Sequence, residues 1–158
     1  MSRSTASSIE ACEQQTGGGV PSRIQRTMWR RPAFTARNFG KRPTVQVALS
    51  AGAIGQLRSV QTAFSYFNDD PGNIRNIPEV GGGALYDIGC YAVNAARFLF
   101  GSEPTAVKGA ILRDPQLGTD VLTSAILDFG VGQSTFFCST QMESDQRVDI
   151  HGTAGRIV

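Results

Sequence analysis

The sequence predicts an α+β fold: a mainly antiparallel sheet with a helix packed on one face, incomplete at its C-terminus and preceded by a disordered or irregular N-terminal third. Three observations carry this prediction. Only residues 84–100 show apolar side chains at sustained three- and four-residue intervals. Before and after that stretch the apolar period drops to two, the mark of half-buried strands. Residues 1–47 have neither period, and Pro21, Pro32 and Pro43 punctuate a run rich in Ser, Gly, Gln and Arg.

Taken in order, residues 45–50 read as the end of a helix, with Gly52 as its C-cap and Gly55 in a turn. Residues 57–67 read as a strand, with Val60, Thr62, Phe64 and Tyr66 on one face and Ser59, Gln61, Ala63, Ser65 and Phe67 on the other. A polar loop with Pro71-Gly72 follows. Then Gly81-Gly82-Gly83 leads into the helix, whose stripe of Leu85, Ile88, Ala92, Ala95 and Leu99 faces a core, and Gly101 ends it. Residues 106–113, 121–129, 133–142 and 147–151 read as further strands joined by short turns. Four or five strands on one helix leave an open sheet face and an edge, both pairing surfaces, so the chain reads as cut short.

Composition narrows the function classes. The 158 residues are 41% hydrophobic and 18% charged, as in an ordinary globular protein. The longest apolar-rich helical stretch is broken by Asp87, Asn94 and Arg97, which argues against a membrane span. Cys12, Cys90 and Cys138 lie far apart without metal-ligand spacing, which suits reduced thiols in a cytoplasmic protein. His151, the only histidine, has no ligand partners in the pattern. The net charge of +2 is unevenly spread, because eight of the fifteen basic side chains fall in residues 1–47 beside only Glu10 and Glu13. The basic pairs there lie near Trp29, Phe34 and Phe39, the elements of a nucleic-acid arm, but the acidic body argues against that use.

The residues fit for chemistry cluster at the start of the helix. Asp87 and Tyr91 are four apart and so share a helix face, with Asn94 next along it. A carboxylate and a phenol near a helix N-terminus suit proton transfer, and the dipole there is expected to favour the ionised carboxylate and to lower the phenol's pKa. Glycines at 82 and 83 are expected to let a ligand ring approach the backbone. The competing reading is structural, with Asp87 complementing the helix end and Tyr91 packing under the sheet.

The string from Gly81 to Tyr91, followed by Phe100-Gly101-Ser102-Glu103-Pro104, resembles the signature of the C-terminal domain of the Gfo/Idh/MocA oxidoreductases. Tyr at 91 is similar to the branch of glucose-fructose oxidoreductase, D-xylose dehydrogenase and dihydrodiol dehydrogenase. Residues 50–58, the Arg75-bearing loop 72–75, and the strands around 128–132 and 149–155 resemble further family segments, so the likeness covers about residues 48–158 and leaves 1–47 outside it. The resemblance implies a substrate-side and dimerisation domain of an NADP- or NAD-dependent enzyme that acts on a sugar or diol by hydride transfer. Tyr91 is then the acid/base group and Asp87 its substrate-positioning neighbour. Arg75, Asn94, Gly82 and Gly83 line the substrate, Arg75 facing substrate or a cofactor phosphate. The sequence departs from the family in lacking GxGxxG after a strand and the Glu-Lys-Pro motif with its lysine. The cofactor is therefore expected to bind a Rossmann domain outside this chain, which alone is expected to be inactive. The sheet face is expected to make a homo-oligomer. The alternative function is a non-catalytic binding or assembly module that uses the same open sheet.

Overall fold

The computed structural model describes residues 42–158. The expectations for residues 1–41, including the irregular segment, the aromatic and basic arm and Cys12, lie outside the described residues. Helix α1 (Arg42–Ser50) begins inside the stretch read as irregular. Pro43, at the first turn of that helix, costs no internal hydrogen bond there. Gly52 follows α1 with a left-handed backbone, as a C-cap should.

The body is a six-stranded sheet in the order β2-β3-β4-β1-β5-β6. Its strands are β1 (Leu57–Phe67), β2 (Ala106–Arg113), β3 (Asp120–Asp128), β4 (Gln133–Ser139), β5 (Gln141–Gly152) and β6 (Arg156–Ile157). β1 is central. It pairs parallel with β4, from Ser59 opposite Gln133 to Ser65 opposite Ser139, and antiparallel with β5 on its other side. All other pairs are antiparallel. The alternation along β1 matches the expected faces: Phe64 and Tyr66 point toward the helix and pack against the core.

Two boundaries differ from the sequence expectation. The strand read as continuous over residues 133–142 breaks at Thr140, and β5 starts at Gln141 rather than at 147. No Gly or Pro marks the break. Tertiary bonds make it: Thr140 donates to the Val121 carbonyl and accepts from Asn68, while the Ser139 hydroxyl donates to Val121 and accepts from Gln141. The corner carries the chain across the end of β1, so β4 and β5 flank it. The second difference is β6, a short strand that pairs Ile157 with Ile150 beyond the last strand read from the sequence.

The helix after the glycines opens as a π turn (Leu85–Gly89) and continues as α2 (Cys90–Phe100), closed by Gly101 in the left-handed conformation. It covers one face of the sheet. Ala84, Ile88, Ala92 and Ala96 pack on Leu127, Phe129, Phe136 and Cys138, and Phe100 stacks on Phe129 with centroids 4.3 Å apart. The small alanines let the helix lie close to the strands, which is why the stripe predicted at Leu85 and Leu99 is only partly buried. Gly89 extends this close approach, since a Cβ there would meet the Cys138 sulfur at 2.8 Å. The opposite face is uncovered, and every residue of the edge strand β2 is exposed.

Candidate active site

Arg75 sits in a short 3₁₀ turn (Ile74–Asn76) whose N-cap, Asn73, accepts the Arg75 amide. Asn76 is 2% exposed and anchors the turn by donating to Asn68 and to the Asp70 carbonyl. A second 3₁₀ turn (Pro78–Val80) then returns the chain to the glycines. The Gly82 amide donates to Ile77 and the Gly83 amide to the Arg75 carbonyl, at 3.0 and 2.8 Å. The loop and the helix start are thus tied by backbone bonds.

The glycines serve this tie. A Cβ on Gly82 would lie 2.6 Å from the Arg75 carbonyl oxygen. Gly83 is buried, has φ +124°, and would place a Cβ 2.0 Å from the Asp120 carboxylate. Both the backbone angle and the space exclude a side chain. The close approach expected of a ligand ring is made here by the chain's own backbone and by Asp120. That buried carboxylate, on β3, accepts the Leu85 amide at 2.7 Å and the Thr123 hydroxyl at 2.8 Å. It satisfies a helix-start donor from across the sheet, as an N-cap would.

Asp87 lies on the π turn and meets two donors. The Tyr66 hydroxyl, from β1, donates to Oδ2 at 2.5 Å, and Arg75 Nε donates to Oδ1 at 3.0 Å. The Arg75 side chain is 46% exposed and that of Asp87 23%. A surface-like ion pair of this kind contributes little stability by itself. Its geometry matters more: loop, strand and helix converge on one carboxylate. Single π turns recur at functional sites, and here the wider turn is what carries Asp87. Tyr91 follows on α2, half-buried, its ring 6.0 Å from that of Phe64.

Both phenols are held above their ordinary range. Burial is the main cause for Tyr66, followed by the hydrogen bond and charge of Asp87, with Arg75 opposing. Burial also leads for Tyr91, followed by Cys90 and Asp87, again against Arg75. This corrects the helix-dipole expectation of a lowered phenol pKa. The dipole fades within the first turn, and Tyr91 stands beyond it, where burial and a carboxylate outweigh it. At neutral pH the Tyr91 phenol therefore carries its proton.

Asp87, Tyr91 and Arg75 therefore come together, Gly82 and Gly83 form the tie behind them, and Asn94 lies half-buried one turn further along α2. Tyr66 and Asp120 were not singled out as site residues. Tyr66 read only as a strand residue, and nothing in a one-dimensional pattern pairs it with Asp87. Asp120 stands just ahead of the strand read from residue 121; its burial follows from strand pairing. A shallow hollow of about 240 Å³ bordered by Gln61, Ser124, Arg147 and Asp149 lies on the opposite, uncovered face. Among the described residues no three of His, Cys, Asp and Glu converge as a metal site would need, and no helix is long and apolar enough to cross a membrane.

Residues 44–158 match the GFO/IDH/MocA C-terminal domain. The chain is 44% identical over 106 residues to an uncharacterised oxidoreductase of Rhizobium meliloti, a match covering 66% of this chain and 32% of that protein. It is 37% identical over 129 residues to the dTDP-3,4-didehydro-2,6-dideoxy-alpha-D-glucose 3-reductase of Streptomyces antibioticus, covering 78% of this chain and 38% of the reductase. The fold is similar to that of an aldose-aldose oxidoreductase from Caulobacter crescentus complexed with glycerol, with TM-score 0.71 and 25% identity over 78% of this chain and 38% of that one. The chain thus spans about a third of the length of the curated relatives named here. Because the family model matches nearly all of the described residues, the chain belongs to the GFO/IDH/MocA oxidoreductase family, through that family's C-terminal domain.

Proposed function

We propose that this chain is the substrate side of an NAD(P)-dependent oxidoreductase that acts on a sugar or diol hydroxyl or carbonyl, with Tyr91 as the proton-transfer group and Asp87 as a fixed acceptor for substrate hydroxyls. The observation that carries the reading is the convergence on Asp87. The carboxylate pinned by Arg75 and Tyr66 stands close enough to Tyr91 to oppose its ionisation. A phenol kept protonated at neutral pH suits protonation of a carbonyl oxygen as it is reduced. Arg75 bonds Asp87 through Nε and is half exposed, which in this reading suits its guanidinium to receive a substrate oxygen or anion. Asn94 is a further substrate contact in this reading.

A nicotinamide supplies the hydride chemistry, and relatives support one: a D-xylose 1-dehydrogenase (NADP(+)) of Haloferax volcanii is 35% identical over 85 residues. The described residues do not fit a dinucleotide. The glycines before α2 follow a 3₁₀ turn rather than a strand, and they are filled by the Arg75 carbonyl and Asp120. The cofactor belongs to another part of the protein in this reading.

The uncovered face supports a second role, association of two copies. It presents Leu112 and Ile126, 58% and 46% exposed, beside the unpaired edge of β2. That role and catalysis use opposite faces and do not compete.

The test joins a nucleotide-binding domain of the family ahead of this chain and changes Tyr91→Phe. Ring packing survives, so stability should move by no more than ~1 kcal/mol, while turnover should fall roughly 10²–10⁴-fold. A Phe variant that turns over like its parent would reduce Tyr91 to a packing residue and end the proposal.

A further inference from the structure

We infer that Tyr66 is a positioning residue of this site, whose hydroxyl fixes the orientation of the Asp87 carboxylate and, through it, of the Arg75 guanidinium. The inference deepens the proposed function and rests on it for its meaning, but not for its test. Three elements that are distant in sequence end on one carboxyl group. Tyr66 comes from the last turn of the pleat of β1, Arg75 from a loop anchored by the buried Asn76, and Asp87 from the π turn. The two donors take different oxygens, Tyr66 at Oδ2 and Arg75 at Oδ1. A carboxylate on a single donor can swing about its terminal torsion, which is broad and shallow. With one donor on each oxygen the plane is set.

The two donors are not equivalent. Tyr66 packs against the core under α2 and is held by the register of β1 between β4 and β5. Arg75 is half exposed on a flexible stem. The rigid partner therefore sets the geometry and the exposed one follows. Tyr66 also cannot take Asp87's place as the charged group, because its burial and the adjoining carboxylate both keep it a neutral donor. Asp87 is thereby left as an oriented acceptor, and in the proposed function the proton movement falls to Tyr91.

The two donors share Asp87 as their hydrogen-bond acceptor, which makes the inference testable on this chain without turnover. Proton-detected NMR on the uniformly ¹⁵N-labelled full chain follows the Arg75 Nε–H signal and its exchange with water. Tyr66→Phe keeps the ring and the packing and removes only the hydroxyl. It should speed Arg75 Nε–H exchange by roughly tenfold, the scale of one charge-assisted hydrogen bond weakened at a distance. Asp87→Asn should speed it at least as much, and should lower the ionisation midpoint of Tyr66, read from the ring ¹³C shift. Tyr66→Leu, which also loses the ring, serves as a packing control: its backbone shifts should spread through β1 and α2, whereas those of Tyr66→Phe should stay local. If Arg75 exchange is unchanged in Tyr66→Phe, the hydroxyl does not position the pair and the inference fails, whatever the activity of Tyr91. If the coupling holds while Tyr91→Phe remains fully active in the assembled enzyme, the proposed function fails and the geometry of Asp87 stands.

Discussion

On the face of the sheet beneath α2, polar side chains of the strands bond to the start of the helix or to each other: Asp120 to Leu85 and Thr123, and Tyr66 to Asp87. On the other face the strands present Leu112, Ile126, Arg147 and Asp149 to solvent, and Arg147 lies within 3.7 and 3.9 Å of Asp145 and Asp149 in loose ion pairs. The same strands supply both faces, since side chains alternate along each one. What differs is the partner. A helix start laid on the sheet turns small positional errors into unsatisfied buried groups, so that face tolerates little change. The open face has no such partner, and its exposed side chains contribute mainly to what the sheet meets in solution.

That contrast yields a ranked set of tests. The largest effect is expected at Gly83. Gly83→Ala would force a side chain into a left-handed backbone and against Asp120. It should cost about 3 kcal/mol or more in denaturant unfolding; a loss below ~1 kcal/mol would mean that the tie between loop and helix is soft. The second test uses pH. Burial first, then the Asp120 charge, push the Cys138 thiol up to about 12 from an ordinary 9.0, and the Cys90, Tyr66 and Tyr91 groups shift the same way. A raised pKa means that the folded state binds these protons more tightly than the unfolded one. The associated stability is therefore complete below about pH 9 and is lost as pH rises toward 12. Melting temperatures should fall steadily across that window, and a flat alkaline profile would place these groups nearer to solvent than the structure does. The smallest effect on stability is expected on the open face. Leu112→Ser with Ile126→Thr should shift unfolding by no more than about 0.5 kcal/mol per site, yet lower any association seen by light scattering. A large loss of stability would show that the two faces are less different than they look.

Much of this was legible in the sequence, for reasons tied to particular residues. β1 appears with its observed bounds because its alternation runs unbroken and Gly55 and Pro71-Gly72 bracket it. The helix was readable from its apolar stripe and Gly101, and the place of Asp87 and Tyr91 beside one another from their spacing. The corner at Thr140 was not readable, since it is made by bonds to Val121 and Asn68 rather than by a turn residue. Nor was the π turn, because its hydrogen-bond shift leaves no trace in hydropathy.

The sequence by itself determined the class of fold, the covering helix, the glycine run before it and the spacing of Asp87 and Tyr91, all of which rest on local propensity and period. Tertiary structure alone decided the central position of β1 between a parallel and an antiparallel neighbour, the burial of Asp120 beneath the helix start, and the meeting of Tyr66 with Asp87. It also decided the sign of the Tyr91 shift, because burial and a nearby carboxylate depend on which elements pack together, whereas the dipole argument saw only the helix to which Tyr91 belongs. Patterns within one element are written in sequence order; contacts between elements depend on how strands are ordered in the sheet, and that order is set by the packing of the whole chain.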